Sequence, residues 1–326
     1  MNSFKTIPDY LDIIIRQIAK NSALVPQNGL KTGKLGIAIL LYNYAQYKND
    51  PEIAAYAGNL INTVTRKIRT VNFGKDFYIG LYDIAYGFHY LLKHDFVKID
   101  DDIFDKIDSI LFEKGNKALN LWELDDESEK GLYILNRLNF CRPSVENLWR
   151  RLMENCVNNF RDILMQRYTS YELFVFPCRV LIRFFHVCQI LREHGQHCRE
   201  INTLYEELIE FVKISYIEEK NLSDKFIFAS LLAGIPEFEE LISVNSVPQL
   251  TAFADIHNIY LTQLILDRSF SLPEITDKTI LSIVENSQWF NELSNRINPY
   301  NAGLGNYFGG LTWMLLQWCI EEGEKQ

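Results

Sequence analysis

The sequence has no HExxH, no P-loop, no dinucleotide fingerprint, no nucleophile elbow and no CxxC pair. The reactions that carry a short local signature are therefore not announced by it. Its six cysteines, Cys141, Cys156, Cys178, Cys188, Cys198 and Cys319, are scattered and show no paired spacing. That pattern excludes a disulfide framework and suits a reduced, cytoplasmic setting. No apolar run approaches the ~18 residues needed to span a bilayer. The opening MNSFKTIPDYLDIIIRQIAK carries Asp9 and Asp12 inside its apolar pattern, and reads as an amphipathic helix, not a signal peptide. Positive charge is also short. Lys and Arg number 33 against 42 Asp and Glu, a net charge of −9, and the basic residues are dispersed, so neither nucleic acid nor an anionic membrane is an expected partner. Finally there is no Pro/Gly/Ser-rich linker, no low-complexity tract and no shift in composition, and one continuous domain over residues 1–326 is expected.

Apolar residues are plentiful. At 48% hydrophobic over 326 residues, the chain can bury roughly 75% of the surface its unfolded form exposes. The apolar residues are also organised. The segment NGLKTGKLGIAILL (28–41) returns as AGLGNYFGGLTWMLL (302–316): aligned without a gap, Gly29 meets Gly303, Leu30 meets Leu304, Gly36 meets Gly310 and Ile37 meets Leu311. A weaker copy, FYIGLYDIAYGFHYLL (77–92), puts Gly80 in the place of Gly33 and Ile84 and Ala85 in those of Ile37 and Ala38.

A glycine turn feeding an apolar helix, repeated along a chain, is what a stack of helical units requires, because glycine permits positive φ and lets helix ends approach closely. The apolar block after each turn is too continuous for one stripe, so those helices are expected to be buried nearly all round. The segments between differ: in IDDDIFDKIDSILF, Ile103, Phe104, Ile107, Ile110 and Leu111 recur at helical spacing among Asp101, Asp102, Asp105 and Asp108. Inner buried helix followed by outer amphipathic helix is the pattern of an all-α protein, an α/α toroid of six or seven inner and outer pairs. About a dozen helices are expected, one beginning at Pro51, where proline suits the first turn. Only YELFVF (171–176) looks like a strand, and Pro177 after it makes an extended lead into an inner helix an equal reading.

GLKTGKLGIAILL, GLYDIAYGFHYLL and GLGNYFGGLTWMLL resemble the repeated glycine-turn motifs of the lanthionine synthetase C family. The resemblance covers the first ~95 residues and the last ~25. It implies a toroid of seven inner and seven outer helices and, for the family's enzymes, a zinc site of two cysteines and a histidine that adds a cysteine thiolate of a precursor peptide to a dehydrated serine or threonine. Two thiolates and an imidazole hold such a zinc with one position open for the substrate thiol. This chain departs from that pattern. Its only Trp-Cys is Trp318-Cys319, beyond the last turn; LTAFADIHNIYLTQL (250–264) stands at the place of the first zinc motif without a cysteine; Cys-His-Gly is absent; and Tyr307 replaces a turn glycine. The expectation is a zinc-less relative, with no cofactor, that binds a precursor peptide or a peptide-modifying enzyme.

Gly33, Gly36, Gly80, Asp83, Asn301 and Asn306 fall on the glycine turns or just after them and are expected to line one end of the barrel, where the asparagines also suit a purely structural turn. Asp255 and His257 occupy the place of the lost zinc turn, where an acid could fix an imidazole tautomer, although residues two apart on a regular helix do not face each other. Asp125 precedes GLYILNRL, the third inner helix, close to where the resembling family carries an acidic cleft residue; an exposed loop acid explains it as well. His194, His197 and Cys198 stand at i, i+3 and i+4, a spacing that suits metal ligands, but Gly195 interrupts the helix and a helix C-terminus favours histidine without any metal. Two further readings remain open. One is a carbohydrate hydrolase or epimerase with a facing carboxylate pair, which has no local signature. The other is a scaffold without catalysis.

Overall fold

The computed structural model describes residues 6–70, 81–98, 101–112, 122–141, 144–169, 178–195, 199–244, 264 and 307–324. Among them the chain is all-helical, with no strand; YELFVF lies outside the described residues. The chain divides into two compact units, Met1–Lys114 with Ala252–Gln326, and Gly115–Thr251.

The first unit contains α1 (Ile7–Ser22), α2 (Lys34–Lys48), α3 (Pro51–Thr70), α4 (Leu81–Lys93), α5 (Asp101–Phe112) and, from the far end of the sequence, α12 (Tyr307–Glu324). Helices α2 and α3 pack as a hairpin, as do α4 and α5, and α1 pairs with α12. Across these pairs α12 lies beside α2 and α2 beside α4, while α1 lies beside α3 and α3 beside α5. Two layers result, and burial follows them. Every residue of α2 from Lys34 to Leu41 is buried, as is the run from Ile84 to His89 in α4. In contrast α3 buries only the stripe Ile53, Ala57, Leu60, Ile61, Val64 and Ile68, the i, i+3, i+4 spacing of a helix with one wet face. Local chemistry fixes the ends. Thr6 caps α1, its hydroxyl accepting from the Asp9 amide at 3.4 Å, and Asn49 ends α2 in the left-handed conformation at φ 54°.

The second unit repeats the arrangement with α6 (Trp122–Phe140), α7 (Glu146–Thr169), α8 (Cys178–Glu193), α9 (Arg199–Glu218) and α10 (Leu222–Leu232), followed by a 3₁₀ turn (Pro236–Phe238) and α11 (Glu239–Val244). The hairpins are α6–α7 and α8–α9. Helix α8 neighbours α6 and α10, and α7 neighbours α9. Here too α8 is buried on most sides, from Val180 to Ile182 and from Phe184 to Cys188. Helix α7 buries a stripe, Trp149, Met153, Cys156, Val157, Phe160 and Leu164. The layers lock through aromatic contact: Phe160 of α7 stacks on Phe184 of α8 at 3.8 Å between centroids, and Phe184 fits against Gly131 of α6, where a Cβ would come within 2.8 Å of its ring.

Candidate functional site

The entry turn of α2 is held by backbone and side-chain bonds to its own helix and to α4. Residues 28–33 double back so that the Lys34, Leu35 and Gly36 amides donate to the carbonyls of Gln27, Asn28 and Gly29 at 3.1–3.3 Å. The turn is tied to α4 by Asp83, whose Oδ2 accepts from the Lys31 amide at 2.9 Å and whose backbone carbonyl accepts from the Leu30 amide at 3.3 Å. Asp83 also belongs to the first turn of α4, where a carboxylate is favoured by the helix dipole.

The glycines are there for space. Gly33 caps α2 at φ −128°, extended backbone open to any residue, so the expectation of positive φ at this turn is corrected. A Cβ on Gly33 would strike the backbone of Gly29 and lie 2.5 Å from the Asn28 carbonyl carbon. A Cβ on Gly29 would run into the Asp83 carboxylate. Gly36 is buried in α2. The next residue after Gly33 had no signal in the sequence: Lys34 is only 8% exposed, and its ammonium donates to the Val25 carbonyl. Burial, with the Lys67 ammonium nearby, holds it below the usual lysine range.

In the second unit Asp125 lies in the first turns of α6, on the helix and not in a preceding loop. Its Oδ1 accepts from Arg183 Nη1 of α8 at 3.1 Å, and the same nitrogen donates to Glu129 Oε1, one turn along α6, at 2.7 Å. Arg183 and Glu129 are 16% and 15% exposed, Asp125 about half. A second tie joins Arg179 of α8 to Asp224 at the start of α10 at 3.5 Å. Two carboxylates on one guanidinium nitrogen suit a cross-link between helices. They do not suit a glycosidase pair, in which one carboxyl must hold a proton. The sequence signal for this tie was Arg183 itself, a cation in the middle of the apolar run VLIRFFHVCQIL.

Of the other candidates, the described residues include only His194. His194 is exposed just beyond α8, and Gly195 turns the chain at φ 77°; His197 and Cys198 lie outside the described residues, as do Gly80, Asp255, His257, Asn301 and Asn306. Asp83 and Gly33 belong to the first unit and Asp125 to the second. Among the described residues no three His, Cys, Asp or Glu side chains are placed to hold a metal. Cys319, from the only Trp-Cys, is buried in α12 more than three turns after the helix begins, where its thiol is hydrogen-bonded to Tyr47. That thiol does not fit a zinc ligand at a turn. Cys156 is likewise inert. It donates to the Glu127 carbonyl, and burial pushes its thiol well above the ordinary range. His186 is buried with Nδ1 at 3.3 Å from Gln189 Oε1, and His89 stacks on Phe104 at 4.6 Å; both serve packing. Among the described residues no helix is long and apolar enough to cross a membrane.

Protein-family models, curated proteins and solved structures contain no match to the chain.

Proposed function

We propose that this protein is a divergent lanthionine synthetase C-like protein, an α/α toroid that lacks the zinc centre and binds a peptide during the maturation of a modified peptide. The observation that carries the reading is the α2 entry turn: glycines admitted only for close approach, at the head of a helix whose residues Lys34 to Leu41 are all buried, pinned to the next buried helix by Asp83. Two alternating helical layers in each unit, with α12 beside α2, support it. The missing Cys-His-Gly and the hydrogen-bonded, helix-buried Cys319 argue against zinc-assisted thioether formation.

The test is metal content together with peptide binding, on protein purified without a metal-binding tag. Mass spectrometric metal analysis is expected to find no stoichiometric zinc. A fluorescent precursor-type peptide containing serine, threonine and cysteine is expected to bind saturably and to leave with its thiols uncyclised. Stoichiometric zinc with thioether formation would replace this reading by an active cyclase. Absence of any peptide binding would leave a scaffold.

A further inference from the structure

We propose that the α2 entry turn carries a binding site for an oxyanion, a carboxylate or phosphate group, held between the ammonium groups of Lys34 and Lys67. The inference goes beyond peptide binding, since it names a ligand group and not its bearer. Lys34 is the only lysine, arginine, aspartate or glutamate buried among the described residues. A charge taken out of water is costly unless an opposite charge and hydrogen bonds replace that water.

Other enclosed cations of this protein meet that condition. Arg183 is held by Glu129 and Asp125, and Lys130 by Glu127 at 3.2 Å. Lys34 differs. Its ammonium has one acceptor, the neutral Val25 carbonyl, and among the described residues no carboxylate pairs with it. Helix α2 has no acid in its first turn, where the positive end of the helix dipole adds to the charge. Asp83, the acid tied to this turn, accepts from the Lys31 amide. Asp12 of α1 pairs with Lys48 at the opposite end of α2.

The second ammonium comes from the α2–α3 hairpin. Helix α2 ends at Lys48 and α3 begins at Pro51. Lys34 lies 14 residues before that end and Lys67 16 residues after that start, so an equal rise per residue brings the two to the same level. Lys67 is exposed, and its charge acts with burial to hold the Lys34 ammonium below the usual lysine range. Asp105 and Asp108 of α5, the helix packed on α3, pair with neither lysine. The first amides of α2 are already taken by the carbonyls of Gln27, Asn28 and Gly29, so side chains and not backbone supply the donors. An ammonium has three N–H bonds, and Lys34 spends one on Val25. An oxyanion arriving from the Lys67 side accepts from both residues and supplies the opposite charge that Lys34 lacks.

The experiment is NMR of the full-length protein labelled with carbon-13 at lysine Cε, titrated at constant ionic strength. Inorganic phosphate is the ligand in one arm; a blocked Ser-Glu-Ser tripeptide and its Ser-Gln-Ser twin are the ligands in the other. Signals are assigned by their loss in K34R, K67M and K213M, Lys213 being a control on α9 that is paired with Glu210. If K34R does not fold, the Lys67 signal reads the same affinity. Wild type and K213M are expected to show the Lys34 and Lys67 signals moving together and saturably, while the Lys213 signal of wild type stays fixed. K67M is expected to lose about tenfold or more in affinity, the scale of a lost charge-assisted hydrogen bond. A response to phosphate alone assigns the site to a phosphate group, and a response to the glutamate peptide alone assigns it to a peptide carboxylate. The site is overturned if neither ligand moves these signals saturably, or if K67M binds as tightly as wild type; the peptide-binding reading, tested with its own peptide, survives either result.

Discussion

Gly29 and Gly33 are four residues apart in one turn, yet they oppose a side chain for different reasons. What a Cβ meets at 33 is backbone, of Asn28 and Gly29, and backbone in a hydrogen-bonded turn cannot step aside. What it meets at 29 is the Asp83 carboxylate, which can rotate at the expense of its bond to the Lys31 amide. Gly33→Ala is therefore expected to cost about 3 kcal/mol, toward the upper part of the range for overpacking. Gly29→Ala is expected to cost less, roughly 1–2 kcal/mol, and to become nearly neutral in an Asp83→Ala background, since residues in contact are not additive. Urea unfolding of the two single variants, Asp83→Ala and the double variant measures this; strict additivity of 29 and 83 would show that the carboxylate is not the obstacle. The first glycine turn was legible because its spacing recurs near the C-terminus, and Asp83 because it stands just after Gly80 in the weaker copy. The reason for glycine was not legible, since φ and steric room leave the same letter in a sequence. Lys34 was invisible for a related reason: a lysine beside a glycine turn looks solvated until Val25 is seen to fold over it.

Among helices, burial on one side or all round was the property the sequence carried best. The apolar blocks after the glycine turns, and RVLIRFFHVCQIL, became α2, α4, α12 and α8, each with a run of consecutive buried residues; the aspartate-laced segment became α5. Less legible was what joins neighbouring buried helices, because it depends on pairs 54 to 58 residues apart. Arg183 is the joint between α6 and α8. Glu129 beside it is nearly enclosed and Asp125 is half open, so the two acids differ in weight. Removing Arg183 takes the guanidinium from the nearly enclosed Glu129 carboxylate, which is expected to cost about 3 kcal/mol. Removing Asp125 leaves the inner pair intact and is expected to cost under ~1 kcal/mol, as for an exposed pair. Thermal melts of Arg183→Ala and Asp125→Ala compare the two; equal losses would mean that Asp125 carries as much of the joint as Glu129 does.

At the scale of the molecule, the first unit is assembled from both ends of the sequence and the second from one stretch between them. No change in composition marks either crossing, so the division lies in packing and not in a linker. The consequence is an asymmetry between fragments. Residues 115–251 contain a core of their own, with Tyr133, Phe160, Phe184, Phe185 and Phe238 fully enclosed, and are expected to be helical and to melt cooperatively when expressed alone. Residues 1–114 lack α12, which packs on both α1 and α2. They are expected to melt broadly and to sharpen when residues 252–326 are supplied in trans, as followed by circular dichroism. A cooperative melt from 1–114 alone would count against α12 as a needed part of that core.

The pairing of α1 with α12 also bears on how the chain is born. A ribosome adds roughly 5–20 residues per second, so the apolar helix α2 emerges tens of seconds before the helix that will cover it. Through that interval the part of α2 that α12 later packs on lacks its cover, and the first unit cannot close until the last helix is made.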